Sequence, residues 1–198
     1  MIGFLNPAVV MTYLGLLCSA LGILLAMDGH TGLALTLFGT AALCDCFDGT
    51  LARRSKKSND TIRAFGIQVD SLADMVSFGM FPIAFAYSLG MTDIWSLLGF
   101  GAYLLACITR LANYNITTTS QPGRFTGLPV TTIAPVFGFL YTFFCIAGYW
   151  PTTFMKILFP VLAVFYVAKI TILKPKPKYL LIAIPFIVYW FLHGFEVL

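Results

Sequence analysis

The chain has 198 residues, 59% of them hydrophobic and only 10% charged, with 12 Lys and Arg against 8 Asp and Glu for a net charge of +4. A water-soluble domain carries about 25% charged residues, so this composition excludes one and points to an all-α, multi-pass integral membrane protein, a single membrane domain over 1–198. Nothing in the composition suggests a nucleic-acid partner. No Lys or Arg precedes Arg53, so the start lacks the basic region of a secretory leader and no cleaved leader is expected.

A spanning helix needs about 20 mostly apolar residues. Seven runs meet this in chain order, at 8–27, 32–52, 64–89, 94–116, 128–148, 153–173 and 178–195. The stretches MDGHTG, GMTD, SQPGR, GYWP and KPKPK separate them with glycine, proline and polar residues. Basic residues orient the runs. Arg53, Arg54, Lys56, Lys57 and Arg63 lie between the second and third runs, Arg124 between the fourth and fifth, and Lys174, Lys176 and Lys178 between the sixth and seventh. Alternating helices put all three connections on one side, so that side and the N-terminus face the cytosol. Asp28, Asp93 and Glu196 fall on the other side. Lys156 and Lys169 stand outside this pattern, although Lys169 can snorkel to the cytosolic edge. Cys18, Cys44, Cys46, Cys107 and Cys145 form no metal-binding spacing and read as buried core residues, and His30 and His193 are isolated near helix ends.

Four of the eight acidic residues stand inside the apolar runs, Asp45 and Asp48 in the second and Asp70 and Asp74 in the third. Each aspartate at a bilayer centre costs about 2.5–3.5 kcal/mol on insertion scales, so the group needs a compensating partner. Spacings of i,i+3 and i,i+4 keep each pair on one helix face. Two such faces meeting make a cage of hard oxygen ligands suited to Mg²⁺ or Mn²⁺, with Ca²⁺ also compatible, and four carboxylates can hold two ions. Two ions can bind a pyrophosphate and stabilise charge on entering and leaving oxygens. Asp45 precedes Arg53 by eight residues, about 12 Å along the helix, so the cage is recessed but open toward the cytosol. Gly49 and Ala52 leave room for a phosphate, Arg53 offers it a positive fork, and Gly66, in line with Asp70 and Asp74, lets the second and third helices pack closely. A divalent cation transporter is the competing reading of intramembrane acids. The chain shows neither the internal repeat nor the midplane placement usual for one.

The run Asp45-Cys-Phe-Asp48-Gly49-Thr-Leu-Ala52-Arg53, followed by Gly66-x3-Asp70-x3-Asp74, resembles the signature of the CDP-alcohol phosphotransferases at all eight defining positions. The resemblance covers the first four helices best. It implies a six-helix core, to which this chain adds one, and commonly a homodimer. It implies attack of an alcohol on the β-phosphorus of a CDP-linked lipid, with release of CMP. It also implies Asp45, Asp48, Asp70 and Asp74 as metal ligands, with Asp74 doubling as the catalytic base, and Gly49, Ala52, Arg53 and Gly66 as the CDP-lipid site. The catalytic core would span 32–89 and the acceptor side 94–130.

The stretches VDSLADMVSFGMFP, RLANYN and GRFTGLP look like the phosphatidylserine synthase branch, which implies CDP-diacylglycerol and L-serine as substrates. Arg110, buried within the fourth helix, requires an anionic partner, met by serine's carboxylate, a lipid phosphate or one of the aspartates. Asn115 and Gly127 are further candidates for the acceptor pocket. Glycerol phosphate, inositol and inositol phosphate are alternative acceptors, but past the third helix only Arg110 and Arg124 are obvious cations for an added phosphate. Two features depart from the family pattern. Twelve residues separate Arg53 from Gly66 where seven or eight are usual, which is expected to lengthen the cytosolic loop, and Asn113 replaces a usual arginine.

Overall fold

The computed structural model describes residues 3–54, 59–117, 124–148, 151–173 and 183–194, with no account of the side chains of 52–54, 124–126, 171–173, 183–184, 186 or 193–194. Lys56, Lys57, Lys174, Lys176, Lys178 and Glu196 lie outside the described residues, as does the side chain of His193.

The described residues form seven helical rods. Helix α1 (Pro7–Met27) begins where Asn6 Oδ1 accepts the Val9 N–H at 2.9 Å, with Pro7 in the first turn, where its missing N–H costs nothing. Helix α2 (Thr31–Arg54) follows after a short turn. The third rod, Asp60–Ser88, joins α3 (Asp60–Asp74), a π-helical turn (Met75–Met80) and α4 (Phe81–Ser88). Then come α5 (Ile94–Thr117), α6 (Ile133–Ile146) behind a 3₁₀ turn at Val130–Thr132, α7 (Pro151–Val167) and α8 (Ala183–Gly194). The rods beginning at Pro7, Thr31, Asp60 and Ile94 are long and apolar enough to cross a membrane, whereas those at 130–146 and 151–167 are shorter.

Two boundaries differ from expectation. Residues 60–63 are helical, so the extra residues before Gly66 lengthen a helix more than a loop; Asp60 in the first turn suits the positive end of its dipole. The sixth run stops at Val167 rather than 173. The β-branched pair Thr171 and Ile172 instead lies in a short strand, β2 (Thr171–Leu173), antiparallel to β1 (Arg124–Thr126). This ladder ties the α5–α6 and α7–α8 connections together at one end of the bundle, as their shared basic character requires. Among the cysteines only Cys107 is buried; Cys145 is exposed and the other three are half-buried, because their helix faces are not all turned inward.

Small residues set the tightest helix contact. Thr12, Gly15, Ser19, Gly22 and Ala26 form a buried stripe on α1 against α2 and α4. A Cβ at Gly22 would sit 2.7 Å from the Phe81 ring and 3.2 Å from the Ala34 carbonyl. Phe81 cannot yield easily, because it stacks on Phe38 with ring centroids 4.3 Å apart. Around this pair, Phe78, Phe85, Phe137, Phe159 and Tyr103 complete an aromatic core. Trp190 of α8 closes over Gly138 of α6 and donates to Thr142 Oγ1 at 2.6 Å.

The π-helical turn has a local cause. Pro82 has no N–H for the carbonyl of Phe78, four residues earlier. The helix widens, the Phe81 N–H reaches the Val76 carbonyl, and the buried Tyr103 hydroxyl donates to the Phe78 carbonyl at 2.6 Å.

At the end away from the β ladder, Lys156 finds a partner: its Nζ lies 2.7 Å from Asp93 Oδ2. Asp93 also caps α5, accepting the Ser96 N–H at 3.2 Å and the Ser96 hydroxyl at 2.7 Å. Lys156 and then Ser96 hold the Asp93 carboxyl well below the usual carboxylate range. A carboxyl depressed in the folded state contributes fully above its unfolded value, about 3.9, and loses that contribution as pH falls through the folded value. Asp93→Asn is therefore expected to lower the melting temperature slightly at neutral pH. The gap from wild type should close only below about pH 4, followed by circular dichroism of detergent-solubilised protein.

Candidate active site

The two aspartate pairs do meet. One carboxylate oxygen each from Asp45, Asp70 and Asp74 lie within 4.8 Å of one another. Two oxygens on opposite sides of a divalent ion, each about 2.1–2.5 Å away, would be about 4–5 Å apart, so the spacing fits such an ion. Asp48 is the odd member. It is buried, faces Asp70, and accepts a 2.7 Å hydrogen bond at Oδ2 from Thr12 Oγ1 of α1.

Among the described residues no cationic side chain pairs with this group. Among the described residues the one ion pair is Asp93 with Lys156, at the other end of the bundle. Asp70 Oδ1 is enclosed and has no hydrogen-bond donor. A buried carboxylate oxygen without a donor is costly, and a bound cation is the partner that would satisfy it.

The space beside the cluster is not the close helix contact expected at Gly66. A Cβ there would meet nothing within 4 Å. The main partner of α3 is α1 rather than α2, with the N-terminal Phe4 edge-on to Phe65 at 5.8 Å. Gly66 therefore borders open space on the face of α3 that also carries Asp70 and Asp74. Gly49 is half-buried next to Asp48 in α2, whose backbone continues through Ala52 and Arg53.

The acceptor-side candidates divide into two groups. Asn115 Oδ1 accepts a 2.9 Å hydrogen bond from Ser71 Oγ, so α5 touches α3 at the residue following Asp70. This contact also sets Asp70 level with the last turn of α5, shallower against that helix than the count from Arg53 implies. Arg110 and Gly127 form the second group. Arg110 Nε donates to the Leu128 carbonyl at 3.1 Å, and the guanidinium lies 5.5 Å from the Tyr114 ring centroid. Gly127 has φ +83°, and a Cβ there would come within 2.9 Å of the Tyr166 carbonyl and 3.2 Å of Arg110 Nε. Of the partners expected for Arg110, an aspartate is not the one found; no carboxylate pairs with it among the described residues.

Thr12 and Ser71 were not singled out from the sequence. Thr12 carries a readable signal, a hydroxyl at the head of a small-residue stripe spaced i, i+3, i+7 and i+10 on an apolar helix. Ser71 carries none beyond lying between Asp70 and Asp74.

The chain belongs to the CDP-alcohol phosphatidyltransferase family, whose model matches residues 5–172. It is 34% identical over 122 residues to an archaetidylserine synthase of Methanothermobacter thermautotrophicus, covering 61% of this chain and 51% of that protein. It is 36% identical over 106 residues to a CDP-diacylglycerol–serine O-phosphatidyltransferase of Saccharomyces cerevisiae, covering 49% and 37%. A Bacillus subtilis protein of the same description is 29% identical over 116 residues, covering 58% and 63%. The chain thus spans about half or less of the length of the first two.

The two helix glycines make a test of this geometry. Gly22→Ala is expected to destabilise by about 1–3 kcal/mol through overpacking. Gly66→Ala is expected to leave stability unchanged or raise it by up to about 1 kcal/mol, since alanine is the better helix former and the space is open. Thermal unfolding in detergent distinguishes them.

Proposed function

We propose that this protein transfers a phosphatidyl group from CDP-diacylglycerol to L-serine, giving phosphatidylserine and CMP, with a divalent cation, Mn²⁺ or Mg²⁺, at the aspartate cluster. The observation that carries this reading is the convergence of Asp45, Asp70 and Asp74 around a donorless carboxylate oxygen, in a family whose serine-specific members this chain resembles. Two cations held by Asp45, Asp48, Asp70 and Asp74 would neutralise the diphosphate and stabilise charge on the departing CMP. The serine hydroxyl attacks the β-phosphorus as its proton passes to Asp74. The new bond joins the serine oxygen to phosphorus, and the phosphoanhydride bond to CMP breaks with its electron pair on CMP.

The opening at Gly66 suits the CDP moiety, with Gly49, Ala52 and Arg53 along its α2 wall. Arg110, held by Leu128 and Gly127, leaves its Nη groups for an anionic part of a substrate, and Asn115 borders the reacting end through Ser71. The active site faces the cytosol of the cell membrane, by the basic character of the connections at its end, and the enzyme works as a homodimer. Glycerol phosphate and inositol acceptors remain the comparison cases.

Purified protein supplied with CDP-diacylglycerol, Mn²⁺ and serine is expected to release CMP, and chelation is expected to stop it. Release with inositol or glycerol phosphate but not serine overturns the acceptor assignment and leaves the family untouched. Asp74→Asn is expected to abolish turnover while retaining part of the CDP-lipid binding, measured by equilibrium binding. Arg110→Ala is expected to raise the serine KM more than the CDP-lipid KM, and equal effects would assign it a structural role.

A further inference from the structure

The first helix takes part in the site through one side chain. Thr12 and Asp48 are 8% and 7% exposed, and the 2.7 Å bond between them is buried. Thr12 Oγ1 also lies 3.1 Å from the Ala8 carbonyl, the ordinary resting place for a threonine hydroxyl within a helix. The hydroxyl has one proton, and the shorter contact is to the carboxylate. Thr12 thus has a local acceptor available and does not depend on Asp48, yet its hydroxyl makes the shorter bond to Asp48 Oδ2.

The consequence falls on Asp48. The three oxygens that cluster most tightly come from Asp45, Asp70 and Asp74. Asp48, one helical turn beyond Asp45, is held toward α1 through Oδ2, while its carboxylate also faces Asp70 across the shared space. We infer that Thr12 is a positioning residue that fixes the Asp48 carboxylate so that it serves a divalent cation through one oxygen, the other being committed to the threonine hydroxyl. This rests on the reading of the aspartate cluster as a cation site. The small residues that follow Thr12 on α1 serve the same end, since Gly15 lets α1 approach within 3.1 Å of the Cys44 Cβ by the measure of an added Cβ. A larger residue there would move the hydroxyl out of reach of Asp48.

The test uses the full-length protein in detergent and Mn²⁺ alone as the probe, with free ion followed by electron paramagnetic resonance. Removing a hydrogen-bond partner of a metal ligand typically weakens affinity about 10- to 100-fold, and Thr12→Val is expected to fall in that range. Thr12→Ser, which keeps the hydroxyl, is expected to stay within about threefold of wild type, and Thr12→Val in an Asp48→Asn background to change affinity less than about twofold. Wild-type affinity in Thr12→Val overturns the inference, as does an equal loss in the Asp48→Asn background. If Thr12→Val does not fold, a tenfold loss in Thr12→Ser overturns it. Failure of the wild type to bind Mn²⁺ at all overturns the cation site itself, which separates the two readings.

Discussion

Four carboxylates gathered between apolar helices, one buried and three half-buried, repel one another and lose part of their hydration, and the bundle has to hold them there against both penalties. It does so without a cationic side chain of its own among the described residues. Thr12 supplies one hydrogen bond to Asp48, and the Asp70 oxygen is left with none. A group this poorly compensated is a strained part of the fold unless a multivalent cation completes it. Gly66, one helical turn before Asp70, has open space where a side chain would stand.

The remainder of the bundle can be understood as the clamp that keeps the cluster together. The small-residue stripe brings α1 close enough to α2 for Thr12 to reach Asp48. The Phe38–Phe81 stack and the aromatic rings around it pin α2 to α4 below the site. Between them, the π-helical turn begins directly after Asp74. It adds a residue to one turn, and so sets the phase between the carboxylate face of α3 and the aromatic face of α4 independently. Tyr103 secures that turn from α5 through the carbonyl that Pro82 leaves without a donor. Loss of the turn would rotate Asp70 and Asp74 relative to the core by about a quarter of a helical revolution, roughly 100° per residue.

The membrane architecture and the aspartate cluster were legible in the sequence because both rest on strong local signals: apolar runs of spanning length, and acids where acids are expensive. The common side of the basic connections was legible for the same reason, and the β1–β2 ladder agrees with it. The role of Gly66 was misread, because an i, i+4, i+8 stripe with Asp70 and Asp74 identifies a face but not what lies opposite it. Residues 60–63 read as loop in the sequence because polar residues dominate them, although an exposed first helical turn needs no apolar face. The short ladder was missed because three-residue strands carry too little pattern to compete with a flanking hydrophobic helix. Thr12 and Ser71 act across helices, and spacing within one helix does not reveal a partner on another.

The two halves of the proposed reaction are built with different stiffness. The leaving-group side consists of four carboxylates on two helices locked by aromatic packing. The acceptor side meets it at the Ser71–Asn115 hydrogen bond, while Arg110 is held by a turn that depends on a left-handed glycine and on the end of α7. Changes in the 127–130 turn or in α7 can therefore move Arg110 without disturbing the carboxylates. A family built this way can keep one way of releasing CMP while exchanging the alcohol that attacks. On the proposed reading, Arg110, Asn115 and Gly127, rather than the aspartates, are the residues placed to select that alcohol.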